Sequence, residues 1–353
     1  MKIIHALFTF TTGGLETMLI DIINHQCKEA VISLIIVNNK VNRDLLNTID
    51  KSVNVYQIKR EENNKIQLIS AFSKINKIVK KIDPDIIHCH NNNLFPFFIR
   101  WKRKTFLTVH SVQLSTKFLK NYRQVFAISA AVREDIRKRI DIVVKIIYNG
   151  IALNEYQSRD SYDFNPEQEV FKIVQVSRLS QRKGQHIAID SMHLLKKQYP
   201  DIRFQLYFVG GGYAYYELQS LVIHHNLQDQ ISFIGSVDRS WVKNRLKEFH
   251  TLIQPTLFEG FGLTVIEGFA SGLPVIASDL DGPKEIIEIL QSGLLVKPND
   301  SADLAEKIFQ VYQSYQLKTL KGSNYILKDK NQLKIFDIET TAKVYMENYI
   351  INK

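Results

Sequence analysis

The chain has almost no cysteine: Cys27 and Cys89 are the only two in 353 residues, and neither sits in a metal-ligand spacing. A disulfide framework is thereby excluded as an organising device, and a reducing compartment, the cytosol, is the expected setting. Long apolar runs are missing too, since no segment approaches the roughly 20 apolar residues that a membrane span needs. The opening KIIHALFTF is broken by His5 and followed at once by TTGG, so it reads as a first buried strand, not a signal peptide. Internal repeats, low-complexity tracts, zinc-finger spacings and RNA-binding signatures are also absent. The aromatics lie mostly inside apolar strand-like runs, so no nucleic-acid partner is expected.

What is present fills two domains. The length exceeds a usual single domain, and 45% apolar content suffices for two cores. Short apolar runs alternate with helical patterns from the start. A strand at 2–8, the loop TFTTGG and the run LETMLIDIINHQC form a first unit, with Leu15, Met18, Leu19, Ile22 and Ile23 spaced along one helix face. Further strands are expected at 31–37, 53–58, 85–89, 105–109, 124–128 and 144–147, with a helix over 65–82. The alternation stops at Tyr148–Gly150, and residues 151–169 are polar and aperiodic, as a linker would be. It resumes with strands at 171–176, 203–209, 231–234, 250–254, 274–277 and 293–296. This is an α/β pattern of parallel sheets: one Rossmann-like domain over 1–150, a linker over 151–169, a second domain over 170–335, and a last segment over 336–353.

Charge is unevenly spread. Residues 1–150 hold 24 Lys+Arg against 12 Asp+Glu, a charge of +12, which leaves −2 for the rest of a chain whose total is +10. The clusters RWKRK at 100–104 and REDIRKRI at 133–140 could meet an anionic membrane surface, from its inner face if the protein is cytosolic, or stand as solvated faces. The segment LFPFFIRWKRK at 94–104 reads equally well as an interfacial dip and as a helix packed on the first sheet.

Residues 259–267, EGFGLTVIE, place Glu259 and Glu267 eight apart across a glycine-broken turn, with Gly260 and Gly262 setting Glu259 in a loop and Glu267 in the helix that follows. Alone, the pair reads as a turn residue and a solvated helix position. A helix N-terminus nevertheless suits a phosphate, and a carboxylate farther in can accept both hydroxyls of a ribose. VSRLSQRKG at 176–184 carries Arg178 and Lys183 between a strand and a helix. Gly13 and Gly14 close the first loop, where backbone without Cβ atoms can approach a ligand. His110 ends the strand FLTVHS, and His88 and His90 flank Cys89 on one side of another. Those two imidazoles lack an identifiable third metal ligand, so acceptor-binding is the reading taken for them. VGGGYAYY puts Tyr215 where a dinucleotide fingerprint needs its third glycine. The strings DPD at 83–85 and DLD at 279–281 read as turns, so no metal is expected.

From Glu259 through GFASGLPVIASDLDGP, the text resembles the donor-site signature of the GT-B retaining glycosyltransferases of family 4. The resemblance implies a GT-B fold, two Rossmann-like domains facing a central cleft, with the final segment crossing back onto the first domain. It implies a metal-independent, retaining transfer from a nucleotide diphosphate sugar, a UDP-sugar first among them, to a saccharide or lipid-linked acceptor. Bacterial lipopolysaccharide, capsule or exopolysaccharide assembly is the implied pathway, and no cofactor is called for. By the same resemblance Arg178 and Lys183 clamp the diphosphate and Glu259 lies near the sugar. Glu267 takes the ribose, with Gly260, Phe261, Gly262 and Leu263 in the donor loop. Gly13 and Gly14 lie against the donor, and His110 lies by the donor sugar, although Ser111 stands where the family often has Asp. A GT-B sugar-nucleotide epimerase and a non-catalytic sugar-nucleotide-binding subunit share these features and are the alternatives.

Overall fold

The computed structural model describes residues 1–11, 13–62 and 64–351; Thr12 of the glycine loop and Asn352 and Lys353 at the end of the last segment lie outside the described residues. The chain divides into two compact units, Met1–Ala152 with Ile335–Lys353, and Leu153–Lys334.

The first unit contains strands β1 (Lys2–Leu7), β2 (Val31–Asn38), β3 (Asn54–Arg60), β4 (Ile86–Cys89), β5 (Thr105–Val109), β6 (Gln124–Ala127) and β7 (Val144–Ile146). Its helices are α1 (Gly14–Gln26), α2 (Arg43–Leu46), α3 (Lys65–Ile82) and α4 (Ala130–Arg137). The strands are parallel in the order β3-β2-β1-β4-β5-β6-β7. All but the first residue of β1 and β2 are buried, as strands covered on both faces must be. Asn64 caps α3 through its side chain, and Asp83 ends that helix in the left-handed region just before Pro84, which is why DPD is a turn.

Residues 92–104 form 3₁₀ turns, not an α-helix, interrupted by Pro96 and by a kink at Trp101. Leu94, Phe95, Phe97 and Phe98 are buried there, so packing accounts for most of the aromatics of this segment, while the apolar Ile99 stays largely exposed beside Arg100.

The second unit contains β8 (Phe171–Val176), β9 (Phe204–Val209), β10 (Ile231–Gly235), β11 (Thr251–Gln254), β12 (Val275–Ser278) and β13 (Leu294–Val296). Its helices are α5 (Gln185–Gln198), α6 (Tyr215–His224), α7 (Arg239–Arg245), α8 (Leu263–Ala270), α9 (Asp281–Leu290) and α10 (Ser301–Gln316). The order β10-β9-β8-β11-β12-β13 repeats the doubly wound pattern of the first sheet. The 151–169 stretch is not a free linker: Tyr156 and Phe164 are buried, and Arg159 N donates to Ser271 O at 2.9 Å.

After Lys334 the chain returns to the first unit. Ile151 N donates to Phe336 O and Ile338 N to Ile151 O, both at 3.0 Å. The last helix, α11 (Ile338–Ile351), buries Tyr345 and Tyr349 completely. Among the described residues no helix is long and apolar enough to cross a membrane.

Candidate active site

In a doubly wound sheet the strand order reverses beside the first strand, and ligands bind beyond the carboxyl ends of the strands at that switch point. In the second unit the switch lies between β8 and β11, and the loops leaving those strands are 177–184 and 255–262. These are the loops that carry Arg178, Lys183 and Glu259.

The two loops are bonded to each other. Leu257 N donates to Arg182 O at 2.8 Å and Thr256 Oγ1 to the same oxygen at 2.9 Å. Thr264 Oγ1 of α8 donates to Val176 O at 3.3 Å, and the Arg182 guanidinium lies 5.0 Å from the centre of the Phe258 ring. Gly184 has φ +69°, and a Cβ there would stand 1.8 Å from Pro255 O, so only glycine lets the first loop close on the second.

This closure brings Lys183 Nζ onto Glu259 Oε2, with Gln254 Nε2 donating to the same oxygen at 3.4 Å. Both members of the ion pair keep about a fifth to a quarter of their side chains exposed, 24% for Lys183 and 20% for Glu259. Gln185 Nε2 donates to Arg178 O at 3.0 Å and to Ser177 Oγ at 2.8 Å, fixing the backbone that carries Arg178. The glycines of VGGGYAYY serve the same loop, because Leu179 N donates to Gly211 O at 3.0 Å.

Gly262, at φ +104°, starts α8, a conformation that L side chains rarely adopt. Gly260, Phe261 and Gly262 are buried and Leu263 is half-buried, so this loop offers mainly backbone. Glu267 sits in the second turn of α8, where burial raises its carboxyl above the ordinary value. The hydrogen bond from Tyr156 Oη to Oε1, at 2.9 Å, and the charges of Arg239 and Lys243 oppose that rise. Asp279 pairs with Lys284 at 2.7 Å and Asp281 opens α9, so DLD is a strand-to-helix turn.

In the first unit the switch lies between β1 and β4. Gly13 caps α1 with extended backbone (φ −169°), and the Glu16 carboxylate folds back on the loop, 3.4 Å from both Thr11 N and Thr11 Oγ1. A phosphate approaching Gly13 and Gly14 would meet that carboxylate, whereas a hydroxyl would find an acceptor.

His88 and His90 do lie on one side of β4, with ring centres 4.4 Å apart, but they are 0% and 3% exposed. His88 Nδ1 meets Tyr349 Oη, and its Nε2 lies 2.8 Å from Thr108 Oγ1. His90 Nε2 meets His5 Nδ1 at 3.0 Å, and His90 Nδ1 meets His110 Nε2 at 3.1 Å. The acceptor-binding expectation for His88 and His90 is therefore corrected: both rings are covered and both nitrogens of each are engaged. The third histidine that sequence spacing did not reveal is His5, paired in register with His88. Nitrogens of His5, His88 and His90 lie within 4.8 Å of one another, and a metal there would have to displace these hydrogen bonds.

Comparisons with known proteins fit this architecture. Residues 157–324 match the family described as Glycosyl transferases group 1, and residues 12–155 match Glycosyltransferase Family 4. An uncharacterized glycosyltransferase of Methanocaldococcus jannaschii, MJ1178, is 24% identical over 274 residues, 73% of this chain and 74% of that one. The phosphatidylinositol N-acetylglucosaminyltransferase gpi3 subunit of Schizosaccharomyces pombe is 28% identical over 206 residues, 57% of this chain and 43% of that one, so the match spans less than half of that relative. The crystal structure of Anabaena Alr3699/HepE in complex with UDP and glucose superposes with a TM-score of 0.80 over 99% of both chains at 20% identity.

Two Rossmann-like sheets with this strand order and these loops define a GT-B fold. The chain belongs to the group 1, family 4 glycosyltransferases.

Proposed function

We propose that this glycosyltransferase is retaining and metal-independent, and moves a sugar from a UDP-sugar to a hydroxyl of a saccharide or lipid-linked acceptor in the assembly of a bacterial surface glycan. The observation that carries the reading is the Lys183–Glu259 pair, held where the β8 and β11 loops meet at the switch point. A diphosphate arriving there exchanges with the Glu259 carboxylate for the Lys183 ammonium, and Arg178 leaves the same loop. The bond from the anomeric carbon to the β-phosphate oxygen breaks, and negative charge grows on the departing diphosphate, where fixed cations stabilise it most. The acceptor oxygen bonds to the anomeric carbon on the same face and gives its proton to the departing phosphate. Glu267, farther along α8, accepts the ribose hydroxyls through the lone pairs that Tyr156 leaves open.

The UDP assignment draws on the bound UDP and glucose of the Anabaena structure, and the lipid-linked option on the name of the gpi3 relative. Docking of the basic first unit on anionic lipid is part of the same reading. The cluster at 133–140 neutralises part of itself through Arg133–Glu134, Arg137–Glu134 and Arg139–Asp135, which leaves Arg100, Lys102 and Arg103 as the stronger contact.

A thermal-shift screen across nucleoside diphosphates tests the donor class. UDP at 100 times its dissociation constant should stabilise the protein by about 2.7 kcal/mol. A shift with GDP or ADP and none with UDP would reassign the base.

A further inference from the structure

At the carboxyl ends of β1, β2 and β3 the first unit holds a cavity of about 600 Å³, lined among others by Phe8, Asn38, Glu62 and Leu68. A second, of about 420 Å³, lies between β3 and α3 and is lined by Lys59, Gln67, Ser70 and Lys74. Arg60 lines both. Gln67, Ser70 and Lys74 recur at the spacing of one helix face, so α3 turns a polar, basic side toward β3.

A bulge sets Arg60 between the two cavities. β3 keeps step with β2 from Ser33 opposite Asn54 to Ile36 opposite Gln57, and then Asn38 stands opposite Arg60, so Ile58 and Lys59 together face Val37. Lys59 absorbs the extra residue at φ +60°, a backbone region that a lysine rarely enters. Without it Lys59, not Arg60, would face the Asn38 amide.

That amide, 2% exposed, is satisfied at both ends: Oδ1 accepts from Arg60 Nε at 3.0 Å, and Nδ2 donates to Glu62 Oε1 at 3.3 Å. Lys40 Nζ donates to the other Glu62 oxygen at 2.7 Å and holds that carboxyl below its ordinary value. The Arg60 guanidinium lies 6.0 Å from the centre of the Phe8 ring. It is held by Nε alone, and its Nη1 and Nη2 make no hydrogen bond among the described residues.

The two cavities differ in chemistry. In the first, the Glu62 carboxylate, the Asn38 amide and the Arg60 guanidinium stand beside an aromatic ring, with their charges balanced. Sugar hydroxyls both donate and accept, so a wall of mixed donors and acceptors suits them, and the Phe8 ring suits the C–H face of a pyranose. The second cavity is lined by Lys59, Arg60 and Lys74 with no carboxylate among its described residues, and neither lysine has an ion pair there. Three cations without an acid fit an oxyanion of more than one charge, a phosphate before a carboxylate.

We propose that the two cavities form one subsite for a phosphorylated saccharide, with the sugar ring beside Phe8, Asn38 and Glu62 and the phosphate between Lys59, Arg60 and Lys74. The acceptor of this transferase then carries a phosphate, and the first unit reads it. This rests on the transferase reading above, to which it adds the acceptor's chemical class and the side chains that select it.

Calorimetric titration of the full chain with glucose 6-phosphate tests it, with UDP held at saturation so that the phosphate-binding loops of the second unit are occupied. Glucose 6-phosphate should bind about tenfold more tightly than glucose, which lacks the oxyanion, and more tightly than glycerol 3-phosphate or inorganic phosphate, which lack the ring. Arg60→Gln should weaken it about tenfold, the worth of one hydrogen bond between charged groups, with UDP affinity unchanged. Lys59→Gly suits the left-handed backbone, so it should weaken glucose 6-phosphate without lowering the urea midpoint, and lost binding is then not lost folding. Equal affinity for glucose and glucose 6-phosphate would remove the phosphate from the proposal, and tighter binding of glucuronate would replace it with a carboxylate. Glycerol 3-phosphate binding as tightly as glucose 6-phosphate would overturn the saccharide and leave a lipid headgroup's phosphate as the occupant. Absence of glucose 6-phosphate binding at millimolar concentration, while UDP still binds, would overturn the subsite and leave the donor reading of the second unit standing.

Discussion

Tyr156 donates its phenolic hydroxyl to Glu267 across 111 residues of sequence, tying the polar 151–169 stretch to the second turn of α8. This bond lowers a carboxyl that burial raises, so Tyr156 helps keep Glu267 ionised for ligand hydroxyls. Tyr156→Phe should weaken UDP binding about five- to tenfold, the worth of one hydrogen bond of about 1 to 1.5 kcal/mol. Because the variant's Glu267 protonates at higher pH, affinity should begin to fall earlier on acidification than in the parent. Glu267→Ala should cost about 1.5 to 3 kcal/mol and abolish that pH dependence. Calorimetric titration with UDP from pH 7.5 to 5 measures both, and unchanged affinity in Glu267→Ala would remove the ribose assignment.

Lys183→Ala and Arg178→Ala should slow transfer more than they weaken donor binding, since each cation acts on charge that grows as the glycosidic bond breaks. A fall in kcat on the order of 100-fold is expected, by analogy with loss of one transition-state donor. Lys183→Ala also leaves Glu259 without its cation, so its effect should exceed that of Lys183→Arg. Turnover at saturating donor that matches the parent would contradict the role.

Much of this architecture is readable from the chain because strands buried on both faces announce themselves as short apolar runs. The expected strand at 171–176 and helix at 65–82 coincide with Phe171–Val176 and Lys65–Ile82. The roles of single side chains are less legible. Tyr156 lies in a polar, aperiodic stretch, and its function depends on a partner far away in sequence. Alternation put His88 and His90 on one face of β4 but could not say that Tyr345 and Tyr349 of α11 would cover it. His5 looked like an interruption of an apolar strand, and its meaning appears only when β1 pairs with β4.

Turnover should survive excess EDTA with no divalent ion added. The Asp-x-Asp strings are turns, with Asp85 accepting from Lys2 N at 2.9 Å and Asp279 paired with Lys284. Loss of activity with chelator, restored by magnesium or manganese, would refute the metal-independent reading.

Binding to vesicles containing phosphatidylglycerol should exceed binding to neutral ones and weaken as salt rises, because charges more than a Debye length apart, about 10 Å at 0.1 M, are screened. Replacing Arg100, Lys102 and Arg103 together with Gln should remove most of the difference between vesicle types. Equal sedimentation with both kinds of vesicle would leave the basic excess as an ordinary solvated face.

Acid should destabilise this protein earlier than its carboxylates alone would dictate. Burial lowers His5 to about 4 and His110 and His250 to about 3, and takes His88 and His90 well below 6.5. In the unfolded chain all of these titrate near 6.5, so between 6.5 and the lowered values the unfolded state binds protons that the folded state refuses. Stability from these groups is therefore fully present above 6.5 and is lost as pH falls toward 4, at about 1.4 kcal/mol per unit for each imidazole still neutral when folded. Glu267 and Asp337, both raised, work in the opposite direction, two carboxyls against these five imidazoles. The urea midpoint should thus decline steadily from pH 6.5 to 5, with net proton uptake on unfolding at pH 5.5. A midpoint that stays flat from pH 7.5 to 5 would mean that the buried imidazoles accept protons without unfolding, and their neutrality in the folded protein would then be wrong.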